Sequence, residues 1–174
     1  MNRTLKFSIG LSAVLILLVG TFLAVGLMQD TNYEASISEL IPAPKEEIWK
    51  YITNVEDVPN RRNDVVSVEI LEKDDTSIPL LWKENTSMGG YMIFKRGETI
   101  PFAKMEIVLQ ESSFKIKGSW VYELEEKNGD TIFSVTEKSE IASPVARGAF
   151  YFAGRDSTIQ QELTMVRNYF RGRR

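Results

Sequence analysis

The chain has 174 residues, a net charge of −3, and neither cysteine nor histidine. It therefore has no disulfide or thiolate nucleophile, and it lacks the side chain most often used for acid–base catalysis near neutral pH. The acidic balance argues against nucleic-acid binding, because contact with phosphates requires a basic surface. We expect no nucleic-acid partner, no cofactor and no metal site.

The N-terminal segment is the most apolar part of the chain. Residues 7–28 contain no charged side chain, and a helix of that length measures about 33 Å, enough to cross a hydrocarbon core of about 30 Å. We predict a transmembrane anchor in residues 1–29 and one domain in residues 30–174. Arg3 and Lys6 precede the span, which places the N-terminus in the cytoplasm and the domain on the periplasmic or extracytoplasmic side. A cleaved signal peptide is the alternative.

The domain begins with a strand and two short helices. Residues 33–41 are typical of a strand. Pro44 suits the first turn of a helix, and the apolar residues that follow it have helical spacing. Residues 55–62 indicate a second short helical segment.

The middle of the domain has the two-residue period of antiparallel strands. Val66, Val68 and Ile70 alternate with polar residues, which predicts that these three side chains share the buried face of the first strand. Asn128-Gly129 is a strong hairpin signal. In all, six strands joined by short turns are predicted between residues 64 and 141.

The C-terminal part returns to a helical period. Ser143 suits an N-cap and Pro144 a first helical residue, and the spacing beyond them predicts one amphipathic helix of about 25 residues. The apolar face of the sheet needs a cover, which this helix supplies. The predicted fold is α+β, a curved antiparallel sheet with two short helices and a long C-terminal helix, preceded by one transmembrane helix.

Residues 41–71 carry a resemblance to a known family. Their sequence, IPAPKEEIWKYITNVEDVPNRRNDVVSVEIL, has Ala-Pro before an acidic helix start, a tryptophan in that helix, a proline in the next one and a valine-rich strand. This resembles the START-like (SRPBCC) superfamily, the helix-grip fold of polyketide cyclases and birch-pollen-allergen-like proteins, and the element order extends the likeness over residues 33–171. Members often carry a tryptophan where this chain has residues 60–63, Asn-Arg-Arg-Asn, which indicates a polar rim there or a surface for lipid head groups or a partner.

The resemblance implies a cavity between sheet and long helix that holds lipids, sterols, polyketides or other apolar molecules. Three carboxylates are in phase with apolar positions: Glu84 shares a face with Trp82, and Glu137 and Asp156 lie on the last strand and the long helix. In an apolar site each would have a raised pKa and could act as an acid or base. Alternatively, Glu84 lies in water at a sheet edge, Glu137 lies near a strand end or pairs with a lysine, and a bend after Gly154 turns Asp156 outward.

The predicted ligand-binding residues combine these carboxylates with aromatic and methionine side chains, which suit a cavity lining. They are Trp82, Met92, Phe94, Met105, Trp120, Tyr122, Phe133, Phe152, Asp156, Glu84 and Glu137. We assign no catalytic residue. The same apolar side chains would also fill a closed core, which the sequence does not distinguish from a hollow one.

These features favour membrane-anchored, non-catalytic binding of a hydrophobic small molecule or lipid in that cavity. Two other functions remain open. One is a cyclase-like or hydrolytic enzyme that uses Glu84, Glu137 or Asp156. The other is a protein-interaction module with a filled core, which contacts an unknown partner through the exposed residues around Arg61 and Arg62 or through the C-terminal arginines.

Overall fold

A seven-stranded antiparallel sheet forms the centre of the structure. The computed structural model describes the backbone of residues 3–171 and the side chains of residues 12–171. In chain order the elements are helix α1 (Arg3–Leu27), strand β1 (Asn32–Ile41), helix α2 (Lys45–Thr53), a 3₁₀ turn (Val55–Asp57), helix α3 (Val58–Arg61), strands β2 (Val65–Lys73), β3 (Pro79–Thr86), β4 (Tyr91–Ile100), β5 (Lys104–Ser112), β6 (Ile116–Lys127) and β7 (Asp130–Ile141), and helices α4 (Pro144–Ala153) and α5 (Ser157–Arg171).

The strands are arranged in the order β1-β7-β6-β5-β4-β3-β2, so the first strand pairs with the last. Short hairpins join β2 to β7 in sequence. At the tightest of them Asn128 and Gly129 have φ of 56° and 84°, the positive values that a two-residue hairpin turn requires. The helix-grip α+β arrangement predicted for the domain is therefore present, with a curved sheet.

The buried core lies between the sheet and two helices, α2 and α5. Helix α5 contributes an apolar stripe of Ile159, Leu163, Val166 and Phe170, which packs with the sheet residues in one cluster. Helix α2 packs against the same cluster, and the Thr131 hydroxyl of β7 donates to the carbonyl of Ala43 just before that helix, at 2.7 Å.

The predicted long C-terminal helix is divided in two. Ser143 caps α4 by accepting a hydrogen bond from the backbone N–H of Ala146, and Pro144 is its first residue, as expected. The helix ends at Gly154, whose φ of 94° lies outside the helical region and in a range that glycine adopts readily. A new helix, α5, starts at Ser157.

The transmembrane prediction is wrong. Within the part of the chain that the structure describes, no helix has both the length and the apolar character needed to cross a bilayer. The single-pass localisation, the membrane contact through residues 7–28 and the cytoplasmic N-terminus are corrected with it. Residues 1, 2 and 172–174 and the side chains of Arg3 and Lys6 lie outside the described part, and the domain boundary between residues 29 and 30 stays a prediction.

Helix α1 instead packs against α4 over part of its length, which hydropathy alone does not reveal. A Cβ atom added at Gly26 would lie 1.6 Å from the carbonyl oxygen of Pro144, and one added at Gly148 would lie 2.0 Å from that of Phe22. The two backbones therefore touch where both residues are glycine. The buried Arg147 side chain stabilises the contact between α1 and α4, since its Nε donates to the carbonyl of Gly26 at 2.8 Å.

We expect Gly148→Ala to force α1 away from α4, because the new methyl group meets backbone that cannot yield. Overpacking of this kind costs about 1–3 kcal/mol, measured as the free energy of unfolding in urea. Gly20→Ala is the matched control, since no atom lies within 4 Å of its added Cβ. Equal effects of the two substitutions would contradict the close contact.

Candidate functional site

A cavity of about 60 Å³ lies between the sheet, the α2–α3 segment and α5. Its walls combine apolar, aromatic and charged side chains: Tyr51, Ile52, Val55, Val58, Arg61, Arg62, Trp82, Glu84, Ile107, Tyr122, Glu162 and Met165. A water molecule takes up about 30 Å³ of liquid, whereas pockets for drug-sized ligands measure about 300–1,000 Å³. In this state the cavity admits a small chemical group rather than a whole ligand.

Arg62 is the charged centre of one wall. Its Nη2 and Nε donate to the two carboxylate oxygens of Asp64 at 2.6 and 3.3 Å, and its Nη1 donates to Oε2 of Glu84 at 3.3 Å. The other oxygen of Glu84 accepts a hydrogen bond from Nε1 of Trp82 at 3.2 Å. Glu84 is only 4% exposed, so its charge depends on these two partners.

The backbone at the end of α3 explains how two adjacent arginines serve different sites. Arg62 leaves the helix in an extended conformation and reaches the sheet. Arg61 stays helical, and its guanidinium donates to Asp57 at 2.9 Å and to the carbonyl of Tyr51 at 2.7 Å. It also lies 3.8 Å above the centre of the Tyr51 ring. Arg61 therefore ties α3 to α2.

A partner contact through the exposed residues around Arg61 and Arg62 stays a prediction, but the two arginines themselves would contribute little surface to it. Their side chains are only 12% and 22% exposed, because both guanidinium groups are used inside the domain. Of the Asn-Arg-Arg-Asn segment, Arg61 and Arg62 line the cavity, as do the partly exposed side chains of Val58 and Met165.

Glu162 enters the cavity from α5. It lies three residues after Ile159 and four before Val166, and therefore beside the buried stripe of the helix. Among the residues that the structure describes, none donates a hydrogen bond to Glu162, and no cation lies within 4.0 Å of its carboxylate. The hydroxyl of Tyr122 on the opposite wall also has no hydrogen-bond partner in that part of the chain.

Burial and charge together set the protonation of the site. Burial raises the pKa of both Glu84 and Glu162, and the positive charge of Arg62 opposes the rise in each case. Burial also holds the pKa of Tyr122 well above its usual value. For Arg62 burial disfavours the charge, but the hydrogen bonds that it donates to Asp64 and the negative charge of Glu84 raise its pKa. The hydrogen bond with Arg62 in turn lowers the pKa of Asp64.

Three of the predicted ligand-binding residues line the cavity: Trp82, Glu84 and Tyr122. Of the others, Phe94, Met105 and Phe133 are buried in the core cluster, and Met92 and Trp120 pack against it. Trp82 stacks on Phe94 with ring centres 5.7 Å apart, so the space beneath the cavity floor is filled by these rings.

The remaining three predicted residues lie elsewhere. Glu137 is 5% exposed and accepts a hydrogen bond from the hydroxyl of Thr158, at the start of α5. Asp156 lies between α4 and α5. Phe152 is 57% exposed, and its ring centre lies 5.5 Å from that of Phe22 in α1. Among the carboxylates predicted for an enzyme, only Glu84 lines the cavity; ligand binding by the whole set stays a prediction.

Neither Glu162 as a cavity residue nor the pairing of Arg62 with Glu84 was predicted from the sequence. The helical spacing around Ile159 could have indicated Glu162, because it places that carboxyl at the border of the buried face. No sequence signal joins Arg62 to Glu84, which are 22 residues apart and meet only through the fold.

No protein-family model matches the chain, and no curated protein matches it in sequence. Solved structures do match its fold. A START superfamily protein from Mycobacterium smegmatis has a TM-score of 0.66 at 15% identity, covering 80% of this chain and 97% of its own. The ZhuI aromatase/cyclase from Streptomyces sp. R1128 has a TM-score of 0.66 at 13% identity, covering 82% and 95%. Ara h 8.0201 has a TM-score of 0.62 at 15% identity, covering 81% and 99%. The fold is START-like.

We expect Arg62→Met to destabilise the domain by about 3 kcal/mol, because it leaves the Glu84 carboxylate buried without its cation. The double substitution Arg62→Met/Glu84→Gln should recover much of that loss, since the stranded charge is gone. Unfolding in urea measures both.

The exposed pair Lys117–Glu140, with the same 3.3 Å separation, provides the control. The matching changes Lys117→Met and Glu140→Gln should each alter stability by less than about 0.5 kcal/mol. Additive effects of Arg62→Met and Glu84→Gln would contradict the pairing.

Proposed function

We propose that this domain binds a hydrophobic small molecule or lipid in the cavity between the sheet and α5, without covalent chemistry. The observation that carries the proposal is the cavity itself: apolar and aromatic walls surround two polar groups, Glu162 and Tyr122, that have no hydrogen-bond partner among the described residues. Ligand sites of proteins are typically apolar with a few converging polar groups that fix the ligand's orientation.

The composition of the walls supports an amphipathic ligand. Val55 and Ile107 offer aliphatic surface, and Trp82 and Tyr122 offer aromatic rings. The hydrocarbon part of a ligand would contact these side chains, and its polar end would face Glu162. Burial of such a ligand is driven by the apolar area that it removes from water, at about 25 cal/mol per Å².

The cavity of about 60 Å³ is too small for a whole ligand unless part of its wall moves. A ligand of more than a few non-hydrogen atoms must displace part of the wall, and the outer wall is the part best suited to move. Met165 is flexible and fills irregular space, and α3 is only 4 residues long. Displacements of loops and short elements accompany binding in a substantial minority of complexes.

The comparisons support the proposal only at the level of the fold. They include proteins named as START superfamily and aromatase/cyclase, and one fold hosts many functions. The cavity therefore carries more weight than the likeness. Since Glu137 and Asp156 lie outside its walls, a binding function explains the site with fewer assumptions than an enzyme that uses those carboxylates.

The experiment uses the full chain, purified without denaturation, weighed intact in the native state and extracted for small molecules. Fluorescence titration follows, with Trp82 as the single tryptophan after Trp49→Phe and Trp120→Phe. We expect a discrete co-purified compound, or saturable quenching of Trp82 by fatty acids, sterols or aromatic polyketides. Val58→Phe narrows the cavity at its partly exposed wall and should weaken binding at least about tenfold, equivalent to about 1.4 kcal/mol.

A clean apo mass together with no quenching and no thermal shift across that panel would refute ligand binding. Equal binding by the Val58→Phe variant would place the ligand outside this cavity.

A further inference from the structure

The charges around the cavity do not balance. Glu84 and Glu162 line the cavity together with Arg61 and Arg62, and Asp57 and Asp64 bind these two guanidinium groups, so four carboxyl groups stand against two cations. The tyrosines Tyr51 and Tyr122 complete the titratable groups; the pKa of Tyr51 is raised to about 12, chiefly by burial, so both rings are neutral at pH 7.

Both cations are already used by the protein. Arg61 is bound by Asp57 and by two backbone carbonyls, those of Tyr51 and Asn54. Arg62 is bound by Asp64 and Glu84. Since neither guanidinium group lies within 4.0 Å of Glu162 in the described part of the chain, the fourth carboxyl faces the cavity without an ion-pair partner.

The chemistry of the partner that Glu162 lacks can be specified. It must donate a hydrogen bond to Glu162, and a positive charge would offset the excess of carboxylates. A primary ammonium group does both, whereas an alcohol supplies only the donor and a carboxylate would add a further negative charge. An ammonium group contains a single non-hydrogen atom, which suits a cavity of about 60 Å³.

The walls suit the rest of such a molecule. Aromatic rings such as those of Trp82 and Tyr122 can attract a nearby cation, and the aliphatic side chains of Val55 and Ile107 suit an attached hydrocarbon chain. An alkyl amine keeps its charge at pH 7, because an amine like that of lysine has a pKa near 10.4.

Resting on the proposed function, we infer that the ligand of this cavity is a hydrophobic amine, whose ammonium group is bound by Glu162. The ammonium group stabilises the Glu162 carboxylate against the burial that raises the pKa of that group in the ligand-free protein. The apolar part of the amine lies against the aromatic and aliphatic walls.

The test compares three probes with the same eight-carbon chain: octylamine, octan-1-ol and octanoate. Each is titrated into the full chain at pH 7 by isothermal calorimetry. We expect octylamine to bind at least about tenfold more tightly than either of the others, as a charge-assisted hydrogen bond provides. Glu162→Gln should abolish that preference, and its circular dichroism spectrum and urea midpoint check that the variant is folded. Glu126→Gln, at an exposed glutamate of β6, is the matched control and should bind like the unmodified chain.

The possible results separate the inference from the function on which it rests. Equal or tighter binding of octan-1-ol or octanoate, or an amine preference that survives Glu162→Gln, overturns the assignment of an amine while ligand binding stands. No binding of any of the three probes overturns the amine ligand, and the proposed function fails with it if the lipid, sterol and polyketide panel is negative as well.

Discussion

The interaction on which the site depends is the ion pair between Arg62 and Glu84 inside the domain. It joins the end of α3 to strand β3, and it is the contact that lets a carboxylate remain only 4% exposed beside an apolar core. Removing one partner from such a pair leaves an uncompensated charge, so the position of α3 and the ionisation of Glu84 are linked. Asp64 holds the same guanidinium from the solvent side and fixes its orientation.

This arrangement makes the cavity different from the hydrophobic hollow that the fold resemblance implied. Aromatic rings fill the space beneath it, with Trp82 stacked on Phe94 and Tyr122 packed edge-on against Phe133. What remains open is a small space, about 60 Å³, with charged groups on the sheet, at the end of α3 and on α5. The polar groups therefore determine which end of a ligand enters, while the apolar walls contribute affinity.

The sequence predicted the periodic parts of the fold and failed where a single residue or a distant contact decided the outcome. Alternation located the strands, but Val66, predicted on the buried face with Val68 and Ile70, is 64% exposed. A shift in pairing between Val65 and Ser67 turns it outward, and alternation does not reveal such a bulge. Hydropathy suggested a membrane span in α1. It measures only the apolar character of the segment and cannot show that the backbone of α1 contacts that of α4.

The candidate site also depends on contacts that periodicity within one element does not reveal. Glu84 is two residues from Trp82, so alternation was enough to place it on the inner face of β3. The hydrogen bond between the two side chains is consistent with that placement. The partner of Glu84 comes from α3, and the unpaired carboxyl of Glu162 comes from the far end of the chain. Only tertiary structure brings these three elements together, so periodicity within one element could not predict the charge imbalance.

The pKa of Glu162 reports whether its carboxyl group faces this cavity without a partner. Carbon-13 NMR of the glutamate carboxyl groups in the full chain, followed through a pH titration, measures it directly. Burial predicts midpoints above the ordinary 4.5 for Glu162 and Glu84. Between 4.5 and those raised pKa values the folded protein holds protons that the unfolded chain releases, so these two groups reduce stability as the pH rises. A Glu162 midpoint at or below 4.5 would show a solvated or already paired carboxylate and would contradict the assignment.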